Sequence, residues 1–111
     1  MLTIVKGSDR TFDIYLVKES DGRPYDLTDW TAIKARFLNA DATILEVDTD
    51  SEISVVGRVE LGHIRITLSD TQTGSLAEAD RGDIEIEVVK SSTTNIFQLE
   101  DVIKVVKKLF T

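Results

Sequence analysis

The chain has 111 residues, 41% of them hydrophobic and 30% charged, the composition of one globular domain spanning residues 1–111. Its 13 Lys and Arg against 20 Asp and Glu leave a formal net charge of -7, so nucleic acid and anionic membranes are not its expected partners. The absence of cysteine excludes disulfides, thiolate catalysis and cysteine-ligated zinc. Charge enters at Lys6, too early for a secretory apolar segment, and no apolar run approaches membrane-spanning length.

In chain order, Leu2–Val5 reads as a weak strand. "TFDIYLV" then alternates, with Phe12, Ile14 and Leu16 on one face and Thr11, Asp13 and Tyr15 on the other. "AIKARFL" sets Ile33, Ala35 and Phe37 against Lys34 and Arg36. Thr43–Val47 and Ile53–Val56 are weaker strands. "HIRITL" sets Ile64, Ile66 and Leu68 against His63, Arg65 and Thr67. "DIEIEVV" sets Ile84, Ile86 and Val88 against Asp83, Glu85 and Glu87. Period-two alternation of this kind marks strands with one buried face. The inward-facing residues of these four stretches form the expected core. Between the last two, Ser69 is placed to cap a short helical turn, which drops Leu76 onto the core. Ile96–Leu99 is a further weak strand. "VIKVVKKLF" fits two patterns: a helical stripe of Val102, Val105, Val106, Leu109 and Phe110, or a continuation of the strand alternation to about Val106. Its β-branched residues favour strand. Seven to eight short strands with turns between them predict an all-β fold, an antiparallel β-sandwich, with a barrel as the alternative.

The stretch "DGRPYDLTDW", Asp21 to Trp30, holds the only proline and the only tryptophan. Asp21-Gly22 suits a turn position with positive φ, because glycine has no Cβ to clash. Pro24 pushes Arg23 towards extended backbone. Leu27 is the first residue able to face inward. Thr28 and Asp29 are placed to satisfy free backbone amides. Trp30 either caps an open end of the sandwich or anchors an interface, since tryptophan is enriched at binding hot spots.

No catalytic constellation stands out. His63, the one histidine, alternates with Ile64 and is expected at the surface with no nucleophile beside it. "EVDTDSE" presents Asp48, Asp50 and Glu52 at the spacing of a calcium loop, but Ile53 stands where such a loop needs glycine. A solvated acidic loop is the expectation, with no metal and no cofactor. The terminal lysines Lys104, Lys107 and Lys108 are placed either to offset Asp83, Glu85 and Glu87 across a ladder or to meet that acidic face on another copy.

The order of segments resembles the N-terminal immunoglobulin-like domain of phage baseplate upper proteins and related tail and neck domains. The resemblance runs over "KGSDRTFDIYLV", "DGRPYDLTDWTAIKARF", "LGHIRITLSDTQTGSLAEADRGDIEIEVV" and "FQLEDVIKVV". It includes the turn Gly22 to Thr28 and the series Gly62, Thr73, Leu76 and Gly82. The resemblance implies that the antiparallel β-sandwich is of immunoglobulin-like type, and that the chain is a non-enzymatic structural protein of a phage virion, from the baseplate, tail or head-tail junction. Such a protein is made in the host cytoplasm and binds other virion proteins or copies of itself as a homo-oligomer. Tyr25, Leu27, Trp30, Lys104, Lys107 and Lys108 are the expected interface. The alternative is a carbohydrate- or metal-binding module for host-surface recognition, which would need an exposed aromatic platform from Tyr15, Tyr25 or Trp30.

Overall fold

In the computed structural model the described residues are 2–39, 42–76, 78–91 and 93–107. They form eight strands: β1 (Leu2–Val5), β2 (Arg10–Tyr15), β3 (Trp30–Asn39), β4 (Ala42–Asp48), β5 (Ile53–Val55), β6 (His63–Leu68), β7 (Ala79–Lys90) and β8 (Thr94–Val106). One helix, α1 (Asp70–Ser75), joins β6 to β7, and a 3-10 turn, Val59–Leu61, precedes β6. Two sheets face each other, a five-stranded one in the order β1-β8-β7-β3-β4 and a three-stranded one in the order β2-β6-β5. Neighbours β2 and β6, and β3 and β7, are distant in sequence, so the chain crosses between sheets as in a Greek key. With the first strand on the sheet of the last, this is an immunoglobulin-like sandwich. All pairs are antiparallel except β1 with β8, which run parallel through Leu2↔Ile103 to Val5↔Val106.

The alternation of apolar residues builds the core directly. Leu16, Ile33, Phe37, Ile64, Ile66, Leu68, Ile84, Ile86 and Val88 are buried. Phe12 and Ile14, expected beside them, are only partly buried. The reason is position: β2 is an edge strand, and its inward side chains look towards the open side of the sandwich. Phe12 still meets Phe37 edge to face at 6.2 Å. The ambiguous C-terminal stretch is strand. Phe97 and Leu99 are half-buried, and Ile103 and Val105 fully so. A bulge separates the pairs, because Ile84 faces Leu99 whereas Gly82 faces Ile103. Lys108, Leu109 and Phe110 lie outside the described residues.

α1 is held at its start by a capping box. Ser69 Oγ accepts from Gln72 N–H at 3.2 Å, and Gln72 Oε1 accepts from Ser69 N–H at 2.9 Å. The helix fastens the β1–β2 turn to the core. The fully buried Thr73 hydroxyl donates to Ser8 O at 2.8 Å and accepts from Gly7 N–H at 3.1 Å. Asp9 accepts from Asp70 N–H at 2.8 Å. Leu76 then drops into the core.

The opening turn is tied down by backbone bonds. Gly22 has φ 70 and its N–H donates to Lys18 O at 2.8 Å. Leu16 N–H donates to Gly62 O at 2.8 Å, Tyr25 N–H to Leu16 O at 2.9 Å and Leu27 N–H to Val59 O at 2.9 Å. Three backbone segments therefore meet at Gly62. A Cβ there would lie 2.6 Å from Leu16 O and 2.7 Å from Tyr25 O, at φ 64. A Cβ at Gly22 meets nothing within 4 Å. Gly22→Ala is therefore expected to cost only the positive-φ penalty, about 1 kcal/mol. Gly62→Ala adds a backbone clash and is expected to cost upwards of about 2 kcal/mol. Chemical denaturation of the two variants checks the order.

Candidate functional site

The aromatic turn is mostly interior. Tyr25 is 9% exposed and Leu27, able to face inward, is fully buried, so these two of the expected interface residues present little surface to a partner. The physical reason is that the hydrogen bonds to Leu16 and Val59 pull this segment across the end of the sandwich. Tyr25 meets Phe97 edge to face at 4.9 Å, and its hydroxyl accepts from the Asn95 side-chain amide. Lys90 Nζ lies 4.5 Å from the Tyr25 ring centroid and donates to Asp26 O at 2.7 Å. Trp30 is half-buried and packs against the core. Thr28 N–H is satisfied by the Asp26 carboxylate at 2.8 Å, so Asp26 supplies the local cap expected of Thr28 and Asp29.

Lys104 is exposed on β8 opposite Thr3, and Lys107 is exposed just beyond the strand. Asn95, which marks the Tyr25 end of β8, lies nine residues before Lys104, roughly 30 Å along the strand. Among the described residues, the expected interface residues thus do not gather into one patch. Within the acidic face of β7, Glu85 and Glu87 are not offset by Lys104 or Lys107. Arg36 on β3 offsets them, with guanidinium nitrogens 3.0 Å from Glu85, 3.4 Å from Glu87 and 3.1 Å from Glu46. Glu85 faces Gln98 and Glu87 faces Ile96 across the β7–β8 ladder, which leaves the lysines beyond the bulge. Partial burial pulls the Arg36 pKa down, but the hydrogen bond and charge of Glu46, with Glu87 and Glu85, raise it overall.

The other sequence candidates are also occupied locally. Asp48 accepts from Asp50 N–H at 2.9 Å, and Glu52 accepts from Asp48 N–H at 3.4 Å and from the Ser51 hydroxyl. These carboxylates organise their own turn, and no group of metal-binding side chains occurs among the described residues. His63 is not the solvent-facing residue expected: Tyr15 stacks on it at 4.2 Å and leaves its side chain 13% exposed. Its Nε2 lies 3.4 Å from Asp13, which Arg65 binds at 2.8 Å.

What the structure leaves open is the side of the sandwich between β2 and β8. A groove of about 870 Å³ runs there. Tyr15 and Val17 form one wall; Ile96, Phe97 and Leu99 form the other; Tyr25 lies at its inner end. Tyr15, Val17 and Ile96 are 63%, 49% and 56% exposed. A smaller hollow of about 130 Å³ shares Leu99 and continues past Phe12 and Ile14 to Val102. No motif pointed to this groove. The one available signal was that Ile96 is apolar at an outward position of its strand and that Val17 is apolar just beyond the end of β2.

No family model matches the chain, and no curated protein does. Among solved structures it matches the crystal structure of a titin M3 domain at a TM-score of 0.42 and 12% identity, over 94% of this chain and 85% of that one. It matches Tim-1 at a TM-score of 0.43 and 13% identity, over 99% and 94% of the two chains. The assignment of the fold rests on strand order and register.

Two outcomes follow from the charges. Arg36→Gln leaves three carboxylates facing one another and is expected to cost about 1–2 kcal/mol. The loss should shrink in 1 M salt, which screens the repulsion; denaturation at both salt levels checks it. Three other carboxyls sit below the usual range: Asp13 through its hydrogen bond to Arg65, Asp26 through that to the Thr28 hydroxyl, and Glu52 through that to Ser51. Groups depressed on folding contribute stability that is complete above the unfolded values, about 4. That contribution is lost as pH falls further, through the folded values. The melting temperature is expected to be flat from pH 7 to about 5 and to drop below about 4, with a smaller drop in Asp26→Asn.

Proposed function

We propose that the protein is a non-enzymatic assembly module of a phage virion, from the baseplate, tail or head-tail junction, and that it acts by holding neighbouring virion proteins. The observation that carries this reading is the groove between β2 and β8, lined by exposed Tyr15, Val17 and Ile96. An apolar recess on an otherwise acidic, rigid sandwich suits protein contact. The resemblance of the segment order to phage immunoglobulin-like domains supplies the context. Asp48 and Glu52 accept hydrogen bonds within their own turn, Arg36 holds Glu85 and Glu87, and Tyr15 covers the histidine, which supports binding over catalysis. Of the three aromatics a sugar platform would use, only Tyr15 is mostly exposed, so the carbohydrate-binding alternative has one ring to work with.

The test is location. Antibody raised against the chain is expected to label the tail or its junction in particles released by the encoding virus, at a fixed copy number per particle. Purified infectious particles that lack the chain would overturn the reading.

A further inference from the structure

β1 covers only part of the β8 edge. Its register runs from Ile103 to Val106. From Thr94 to Leu99, β8 pairs with β7 alone among the described residues. Alternate backbone N–H and C=O groups of that stretch point away from β7, towards the groove side. The facing strand, β2, is likewise paired on one side only, with β6. The two free edges line one recess without pairing to each other.

Natural sheet edges are protected by charge, proline, bulges or shortness. β5 has three residues and β1 has four. β4 carries Glu46 and Asp48. The β8 edge has none of these devices from Thr94 to Leu99: "TNIFQL" contains no charge and no proline, and the bulge comes only after Leu99. Ile96 is exposed in its middle. The stretch spans roughly 20 Å, six residues of strand.

We infer that this edge receives an extended segment of a partner protein, which adds to the five-stranded sheet as a further strand above β1. The inference rests on the assembly reading and specifies its chemistry. Unpaired backbone groups select a strand over a helix, because only a strand presents matching donors and acceptors along its length. Alternate side chains of the incoming strand would enter the groove against Val17, Phe97 and Leu99, so they are apolar. The groove wall also carries Glu19 and Glu100 with Lys18, and the chain has a net charge of -7. The incoming segment is therefore basic at its flanks. A second copy would bring the same net charge to the contact, which works against it.

The test uses the whole chain and a synthetic eight-residue peptide of alternating valine and threonine flanked by lysines. Its control is the same peptide N-methylated at alternate residues, which keeps the side chains and removes backbone donors. Amide hydrogen exchange is followed residue by residue. The expected result is at least about tenfold slower exchange at alternate amides within Thr94–Leu99, with about tenfold weaker binding of the methylated peptide, the scale of one hydrogen bond. The variant Val17→Lys/Ile96→Lys, altered at two half-exposed positions, should keep its circular dichroism spectrum and lose the peptide. Equal binding of both peptides, protection on β4 or β5 instead, or no binding at millimolar peptide would overturn the inference. So would protection of Thr94–Leu99 that rises with protein concentration alone and accompanies a sedimenting dimer, since the occupant is then a second copy. All arms use the isolated chain, so this inference and the virion assignment fail separately.

Discussion

The meeting of three backbone segments at Gly62 is the constraint on which the rest depends. The carbonyl of Gly62 takes the N–H of Leu16, and the carbonyl of Leu16 takes the N–H of Tyr25. A side chain at Gly62 has no room between them. Here the chain leaves β2, makes its long turn and returns across the end of the sandwich. The contact buries Tyr25 and Leu27 and delivers Trp30 to the start of β3. It also fixes where β2 stops pairing, and so fixes one wall of the groove.

Most residues that carry the phage resemblance have architectural roles. Gly22 takes the left-handed turn, and Asp26 caps Thr28. Leu27 and Leu76 fill the core. Thr73 fastens the β1–β2 turn to α1, and Gly82 lies where Ile103 packs. Turn and close-approach residues of this kind specify a chain path. They carry no chemistry of their own, which is why the motifs point to a fold more firmly than to an activity. The proposed binding surface lies elsewhere, on the β8 edge and beside the end of β2.

Charge is organised in the same economical way. On the outer face of the larger sheet one guanidinium holds three carboxylates from two neighbouring strands. On the smaller sheet Arg65 holds Asp13, while Tyr15 covers His63. These clusters occupy flat outer faces and bind the strands beneath them. Of the large exposed apolar side chains among the described residues, Tyr15, Val17 and Ile96 border the groove and Leu61 lies on the 3-10 turn.

The core was legible from the sequence because burial on one face of a strand forces period two, and Ile64, Ile66, Ile84 and Ile86 follow it without a break. The Ser69 cap and the positive φ of Gly22 were legible because they depend on bonds or sterics within a few residues. Three things were decided only by tertiary structure. Phe12 and Ile14 alternate as well as Ile64 does, but whether a strand lies at an edge is a matter of sheet order, and edge position left them half-covered. Setting Asp83, Glu85 and Glu87 against the lysines assumes a register that places them opposite one another. Gln98 and Ile96 stand opposite Glu85 and Glu87, Lys104 lies six residues further along β8 than Gln98, and Arg36 from the other neighbouring strand meets the two glutamates. The free edge of β8 was invisible, because a backbone group is unpaired only by virtue of where β1 stops. Local sequence therefore determined which face of each strand is buried. Long-range pairing alone decided which edges remain to bind something else.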